Sequence, residues 1–174
     1  PRLFLCALYS KSKILYTYSC MLEDLRADRL KKLTKIQDFG VLAYPARTTR
    51  THRIIAARTE FQAFSRARKK IFLAGRVTSI RDQGSVLFAD VKDESGKIQA
   101  VFKKDTVKNF AFFASVLDRG DFISCGGTLF TTKKGEKSIE VKSAQMLAKS
   151  LLPPPVAWYG LEDTETRLRE RHLD

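Results

Sequence analysis

The segment from 71 to 145 constrains the fold more than any other part of this 174-residue chain. Apolar and polar residues alternate there in short runs, and a period of two in runs of this length marks strands that bury one face. The pattern predicts strands over 71–80, 85–92, 97–103, 122–131 and 137–147, separated by turn residues at 82–84, 93–96 and 133–136. Gly75 sits inside the first run, where glycine marks a bulge or a close backbone approach. In the second run Leu87, Ala89 and Val91 share one face, and Val86, Phe88, Asp90 and Lys92 the other. In the third, Ile98, Ala100 and Phe102 face inward while Gln99, Val101 and Lys103 face outward. Between the third and fourth strands, Val107, Phe110, Ala114 and Leu117 form a helical stripe over 105–117, suited to sealing one end of a sheet closed on itself.

The order β-β-β-α-β-β within 71–145 fits a mainly β chain built on a five-stranded OB-fold barrel with flanking helices. A helix is expected over 21–39, with Leu22, Leu25, Leu30, Leu33 and Ile36 as its apolar positions and Gly40 as its stop. A second, weaker helix is expected over 54–67. The chain then divides into a leader at 1–20, a helical extension at 21–69, the barrel at 70–150, and a proline-stiffened linker opening a further domain at 151–174. The leader contains no acid and is followed by Met21; its apolar run is too short for a signal peptide and no Ala-x-Ala site follows. It reads as non-native or disordered sequence.

Charge points to a partner class. Lys and Arg number 32 against 19 Asp and Glu, a formal net of +13, of which residues 1–70 carry +11, residues 71–150 carry +4 and residues 151–174 carry −2. Such a balance favours polyanions. The three cysteines have neither the even count of a disulfide framework nor metal-ligand spacing, which favours a reducing, cytoplasmic compartment. No phosphate-binding glycine loop, nucleophile elbow or zinc motif is present, and no apolar run reaches the roughly 18 residues a membrane span requires.

Phe88 and Gln99 break the apolar alternation of the barrel, and Arg81 stands at the end of the first strand, where Gly75 makes alternation unreliable. Phe88, on the polar face, is either a stray surface apolar or a platform on which a base stacks. Gln99 carries a donor and an acceptor on one side chain, fit for a uracil edge, although the residues alone make it an ordinary strand surface position. Arg81 is either a solvated turn arginine or a fork for a base oxygen or phosphate. In the first helix, Arg26, Arg29 and Lys32 recur every third residue and present either a solvated face or a phosphate-tracking one. His52 reads as a capping or exposed polar residue, not a catalyst.

Taken together, these segments resemble the N-terminal part of a bacterial-type lysyl-tRNA synthetase, a class II aminoacyl-tRNA synthetase. The resemblance runs from about Leu25 to Asp174 and is carried by 26–33, by Ala43, Tyr44 and Pro45, by Thr51 and His52, by Ala74, Gly75 and Arg76, by Phe88, Asp93, Ser95, Gly96, Ile98 and Gln99, and by 117–121, 129–136 and 160–174. It implies an anticodon-binding OB domain in which Phe88 stacks on a base, Arg81 and Gln99 read uracil, and Glu136 lies near the anticodon. It further implies tRNA(Lys) as partner, with ATP, magnesium and lysine handled by a later domain that would also supply most of a homodimer contact. The chain as given would hold no cofactor or catalytic residue, and is free to be monomeric. Leu168 and His172 depart from the family's usual tyrosines. Three rivals stand beside this reading: a free-standing OB protein that binds single strands without sequence preference, a protein-interaction OB domain, and the equivalent domain of an aspartyl- or asparaginyl-tRNA synthetase.

Overall fold

A computed structural model describes residues 22–152 and Leu168. The leader, most of the linker, Cys6, Cys20 and His172 lie outside the described residues. The described chain opens with helix α1 over 22–38, which ends as the sequence predicts. Gly40 N–H donates to the Gln37 carbonyl at 2.9 Å and Val41 N–H to that of Ile36 at 3.2 Å, the paired bonds of a glycine-terminated helix. The buried stripe of α1 differs from the expected one. Leu33 and Ile36 pack inward, whereas Leu25 and Leu30 are exposed and Arg29 occupies the inner position between them. Arg29, Leu33 and Ile36 fall at i, i+4 and i+7, so one face holds all three and rotates Leu30 away.

The single helix expected over 54–67 is two, α2 (Ile54–Thr59) and α3 (Phe61–Arg66), broken at Glu60 with φ −91° and ψ 20°. Ile54, Ala57, Phe61 and Phe64 nevertheless bury one continuous face, because the break shortens neither stripe. The start of α2 has no cap of its own. Asp93 Oδ2, from the turn after the second strand, accepts from Ile54 N–H at 3.0 Å, and Ser95 Oγ accepts from Ile55 N–H at 3.0 Å. Two donors that a helix start leaves open are thus satisfied by the barrel itself.

Five strands, β1 (Lys70–Asp82), β2 (Val86–Lys92), β3 (Lys97–Lys103), β4 (Phe122–Thr131) and β5 (Lys137–Ala148), form a closed barrel in the order β1-β2-β3-β5-β4. All pairs are antiparallel except β3 with β5. Strand β1 is long enough to serve two neighbours: Lys70–Arg76 pairs with β4 and Arg76–Asp82 with β2. Gly75 sits at the changeover, where a Cβ would come within 2.5 Å of the Lys92 carbonyl oxygen, so the close approach read from the sequence is real. A register shift between Val77 and Ser79 follows directly.

Helix α4 (Phe110–Val116) crosses from β3 to β4 and is shorter than the 105–117 expected. Residues 104–106 and 108–109 are turns, anchored by Thr106 and Val107 N–H to the Lys103 carbonyl. Val107, Phe110, Phe113, Val116 and Leu117 are buried, while Ala114 is only half-buried. These side chains join those of β1 to β5 in one core with Ile36, Ile54 and Phe64. Each fully buried large apolar side chain there contributes about 1.5–3 kcal/mol.

Where β5 leaves the barrel, the core turns polar. Lys149, whose side chain has 0% exposure, donates to Asp118 Oδ2 at 2.6 Å, Asp121 Oδ2 at 2.8 Å and the Val116 carbonyl at 2.6 Å. Asp121, also 0% exposed, accepts in addition from Ser150 N–H at 2.9 Å and Asp118 N–H at 2.7 Å. Helix α1 is bolted to this cluster. Arg29 donates to the carbonyls of Ser150 at 2.8 Å and Arg119 at 3.0 Å, and Lys32 pairs with Asp118 at 2.8 Å. Tyr44 hydroxyl donates to the Lys149 carbonyl at 2.9 Å, and burial, with the nearby Asp121 charge second, raises its pKa. The expected phosphate-tracking face of Arg26, Arg29 and Lys32 is therefore corrected: Arg29 is 4% exposed and spent on the barrel, Lys32 is ion-paired, and of the three only Arg26 is exposed.

Candidate nucleic-acid interface

The alternation of β2 places Phe88 on the outer face of the barrel, and the register shift in β1 places Arg81 beside it. Val77 is opposite Val91, both buried, yet Arg81 is opposite Phe88. Counting by twos from Val77 would turn Arg81 toward the core. The extra residue at Thr78 reverses the phase, and Arg81 emerges on the outer face, as a bulge does to re-aim a side chain. Across β2 and β3, Phe88 is opposite Val101 and Asp90 is opposite Gln99. Across the parallel pair, Gln99 is opposite Ser138.

These positions line a groove of about 740 Å³ together with Phe130, Lys103 and the 132–136 hairpin. Arg81, Phe88, Gln99 and Glu136, the four residues that the resemblance expects at the anticodon, all border it. Its floor is apolar, from Val86, Phe88, Val101 and Phe130, and Arg81, Lys103, Lys133 and Lys134 stand around it against one lining acid, Glu136. Arg81 and Lys97 flank Asp90 at 3.9 and 3.4 Å, and Lys103 pairs with Glu140 while lying 5.6 Å from the Phe130 ring centre.

Two expectations about exposure are corrected. Gln99 and Val101 do lie on the outer face, but they are 8% and 2% exposed, because β5 and the hairpin before it wall the face into a groove. Gln99 is consequently held. Ser138 Oγ, itself buried, donates to Gln99 Oε1 at 3.1 Å with the Glu136 carbonyl at 3.4 Å. That bond occupies the amide oxygen and leaves the NH₂ as the group Gln99 presents. Glu136 is exposed at the hairpin, and its N–H is held by Thr132 Oγ1 at 3.1 Å.

Sequence reasoning missed Phe130 and Ser138. Phe130 could have been found by alternation against buried Leu129. Ser138 could not, since only the closure of β3 on β5 brings it to Gln99. Asp93 in the β2–β3 turn has a lowered pKa: burial raises it, but donors from Ile54, Ser95 and Gly96 outweigh that. The Cys125 thiol is pushed up to about 12 by burial inside the barrel, where it acts as a small apolar side chain. His52 is half-buried, its ring edge-on to Phe64 at 5.1 Å. Among the described residues no group of three or more metal-binding side chains occurs, and no helix is long and apolar enough to cross a membrane.

A closed five-stranded barrel with an aromatic, amide-bearing, cation-rimmed groove on its outer face is the architecture of an oligonucleotide-binding module. Residues 71–147 match the tRNA anticodon model, an OB-fold nucleic acid binding domain. The chain is moreover similar to lysine–tRNA ligases. It is 34% identical over 157 residues to the lysine–tRNA ligase of Fervidobacterium nodosum, covering 88% of this chain and 31% of the relative. It is 38% identical over 156 residues to that of Roseiflexus sp., covering 88% and 32%. Lysine–tRNA ligase 2 of Methanosarcina acetivorans is 38% identical over 149 residues, covering 84% and 29%. The chain thus spans about a third of the length of these curated relatives.

Proposed function

We propose that this chain is the anticodon-reading part of a lysine–tRNA ligase and that its groove receives an unpaired uracil of tRNA(Lys). The observation that carries the reading is the convergence of Arg81, Phe88, Gln99 and Glu136 on one groove. Phe88 offers a half-buried ring for the base to stack on. The Gln99 NH₂, oriented by Ser138, meets a uracil carbonyl, and Arg81 reaches a base oxygen or phosphate. Cytosine presents an amino group where uracil presents an oxygen, so it would face donor with donor. Arg26 and the exposed basic residues of 47–70 contribute phosphate contacts. In the whole enzyme, a later domain would activate lysine with ATP and magnesium and pass it to the tRNA, and would complete a homodimer. A cytoplasmic setting accords with that role.

The test is binding of anticodon stem-loops with central uracil or central cytosine at fixed salt. Phe88→Ala is expected to lose roughly 1–3 kcal/mol for the central-uracil loop. Gln99→Ala is expected to lose less affinity and more discrimination, because cytosine no longer meets a mispaired donor. Equal affinity of the unsubstituted protein for both loops would defeat anticodon reading and favour an OB protein that binds single strands without preference.

A further inference from the structure

The outer face carries a second basic site at the other end of the β1–β2 pair. Arg76 lies directly opposite Lys92 on one side and Phe122 on the other. Its guanidinium lies over the Phe122 ring, 4.7 Å from the centre, which orients it and leaves its N–H groups free at the edge. Arg119 borders the same cavity of about 580 Å³. Its backbone is anchored, its carbonyl accepting from Arg29 while the adjoining Gly120 N–H donates to the Val77 carbonyl at 2.8 Å.

Arg76, Lys92 and Arg119 are all exposed, and among the described residues none has a carboxylate within ion-pair distance. The two acids that border the cavity are engaged elsewhere. Asp93 spends both oxygens on the turn and on α2, and Glu94 pairs with Arg50 at 3.5 Å and Arg53 at 3.4 Å. Like charges directly opposite on neighbouring strands are destabilising. A fold that sets Arg76 against Lys92 with no acid between them holds an uncompensated cationic site, ready for an anion.

We propose that Arg76, Lys92 and Arg119 bind the sugar–phosphate backbone of the same RNA whose base enters the Phe88 groove. The proposal rests on the RNA-binding reading above, though not on its base specificity. The bulge at Thr78 puts Arg76 and Arg81 on one face of the same strand. The Arg76–Lys92 row lies four residues of β2 from the Arg81–Phe88 row, about 14 Å at a rise of about 3.4 Å per residue. One RNA segment can therefore engage both, the first site holding phosphates and the second reading a base.

The experiment measures the affinity of the 174-residue chain for central-uracil and central-cytosine stem-loops between about 50 and 200 mM salt, where phosphate contacts dominate the salt dependence. R76Q/K92Q is expected to flatten the slope of log K against log salt by about 1.4, from about 0.7 per single-strand phosphate contact, and to weaken both loops by the same factor, roughly 10- to 30-fold near 0.1 M. R119Q and K92Q alone are each expected to flatten it by about 0.7, and a K108Q control to leave it unchanged. The thermal midpoint of K92Q should equal or exceed that of the unsubstituted chain, since a repulsion is relieved. Unchanged slopes in K92Q, R119Q and the double variant would overturn the proposal, as they would if a protein carboxylate were the true occupant. A changed uracil-to-cytosine ratio would overturn it as well, by making these residues base readers. Equal binding of both loops by the unsubstituted chain, with the slopes still flattened in the variants, would instead defeat only the base-reading function.

Discussion

Replacing Lys149 tests whether the polar cluster at the barrel exit holds the N-terminal helix and the barrel as one unit. Lys149→Met keeps the length of the side chain and removes an ammonium that serves three acceptors at 2.6, 2.6 and 2.8 Å. Asp118 is half-exposed enough to find water, but Asp121 has 0% exposure and would remain as a buried carboxylate with two backbone N–H donors and no cation. Breaking a buried pair by removing one partner costs about 3–5 kcal/mol, most of it the stranded charge. At about 3 °C per kcal/mol for a chain of this size, the thermal midpoint should fall by about 10–15 °C. The assay is thermal and urea denaturation of the purified chain. Adding Asp121→Asn to Lys149→Met removes the stranded charge and keeps an oxygen for Ser150 N–H, so it should restore part of the loss. A cost below about 1 kcal/mol, or no recovery in the double variant, would refute the argument that desolvation governs this cluster.

The same cluster makes stability pH-dependent. Burial tends to raise the Asp118 pKa, yet hydrogen bonds and charge from Lys149 and Lys32 hold it below its ordinary 3.8. A depressed folded-state pKa contributes stability that is present above the unfolded value and is lost as pH falls through the folded one, so the thermal midpoint should drop below about pH 4 and Asp118→Asn should flatten that drop. Gly75→Ala would place a methyl carbon 2.5 Å from the Lys92 carbonyl oxygen and 2.9 Å from Val91 Cγ1, both set in the β1–β2 ladder. The expected cost is about 1–3 kcal/mol by urea titration, and a neutral result would mean that the barrel does not need this close approach.

Much of the fold was legible because its signals are local. A period of two assigned β3 and β4 to their observed bounds and turned Phe88 outward; glycine and aspartate located the turns; resemblance then singled out Arg81, Gln99 and Glu136. Helix boundaries were less legible where two tendencies compete. Glu60 interrupts a stripe that continues in space, and the turns at 104–109 replace helix that the apolar spacing alone allowed.

Tertiary structure alone decided the rest, because it depends on which distant residues meet. Alternation states that Gln99 points outward, but only the parallel pairing of β3 with β5 buries it and brings Ser138 to orient its amide. Spacing states that Arg26, Arg29 and Lys32 recur along a helix, but only the docking of α1 beside Ser150 and Arg119 decides that Arg29 serves the fold. Gly75 forewarns of a bulge in β1, but only the strand register places it at Thr78, where it returns Arg81 to the face it shares with Arg76 and Phe88. Periodicity is a property of one strand or helix. Closure of a barrel is a property of all five strands, and it sets which side chains are spent on packing and which are left to a ligand.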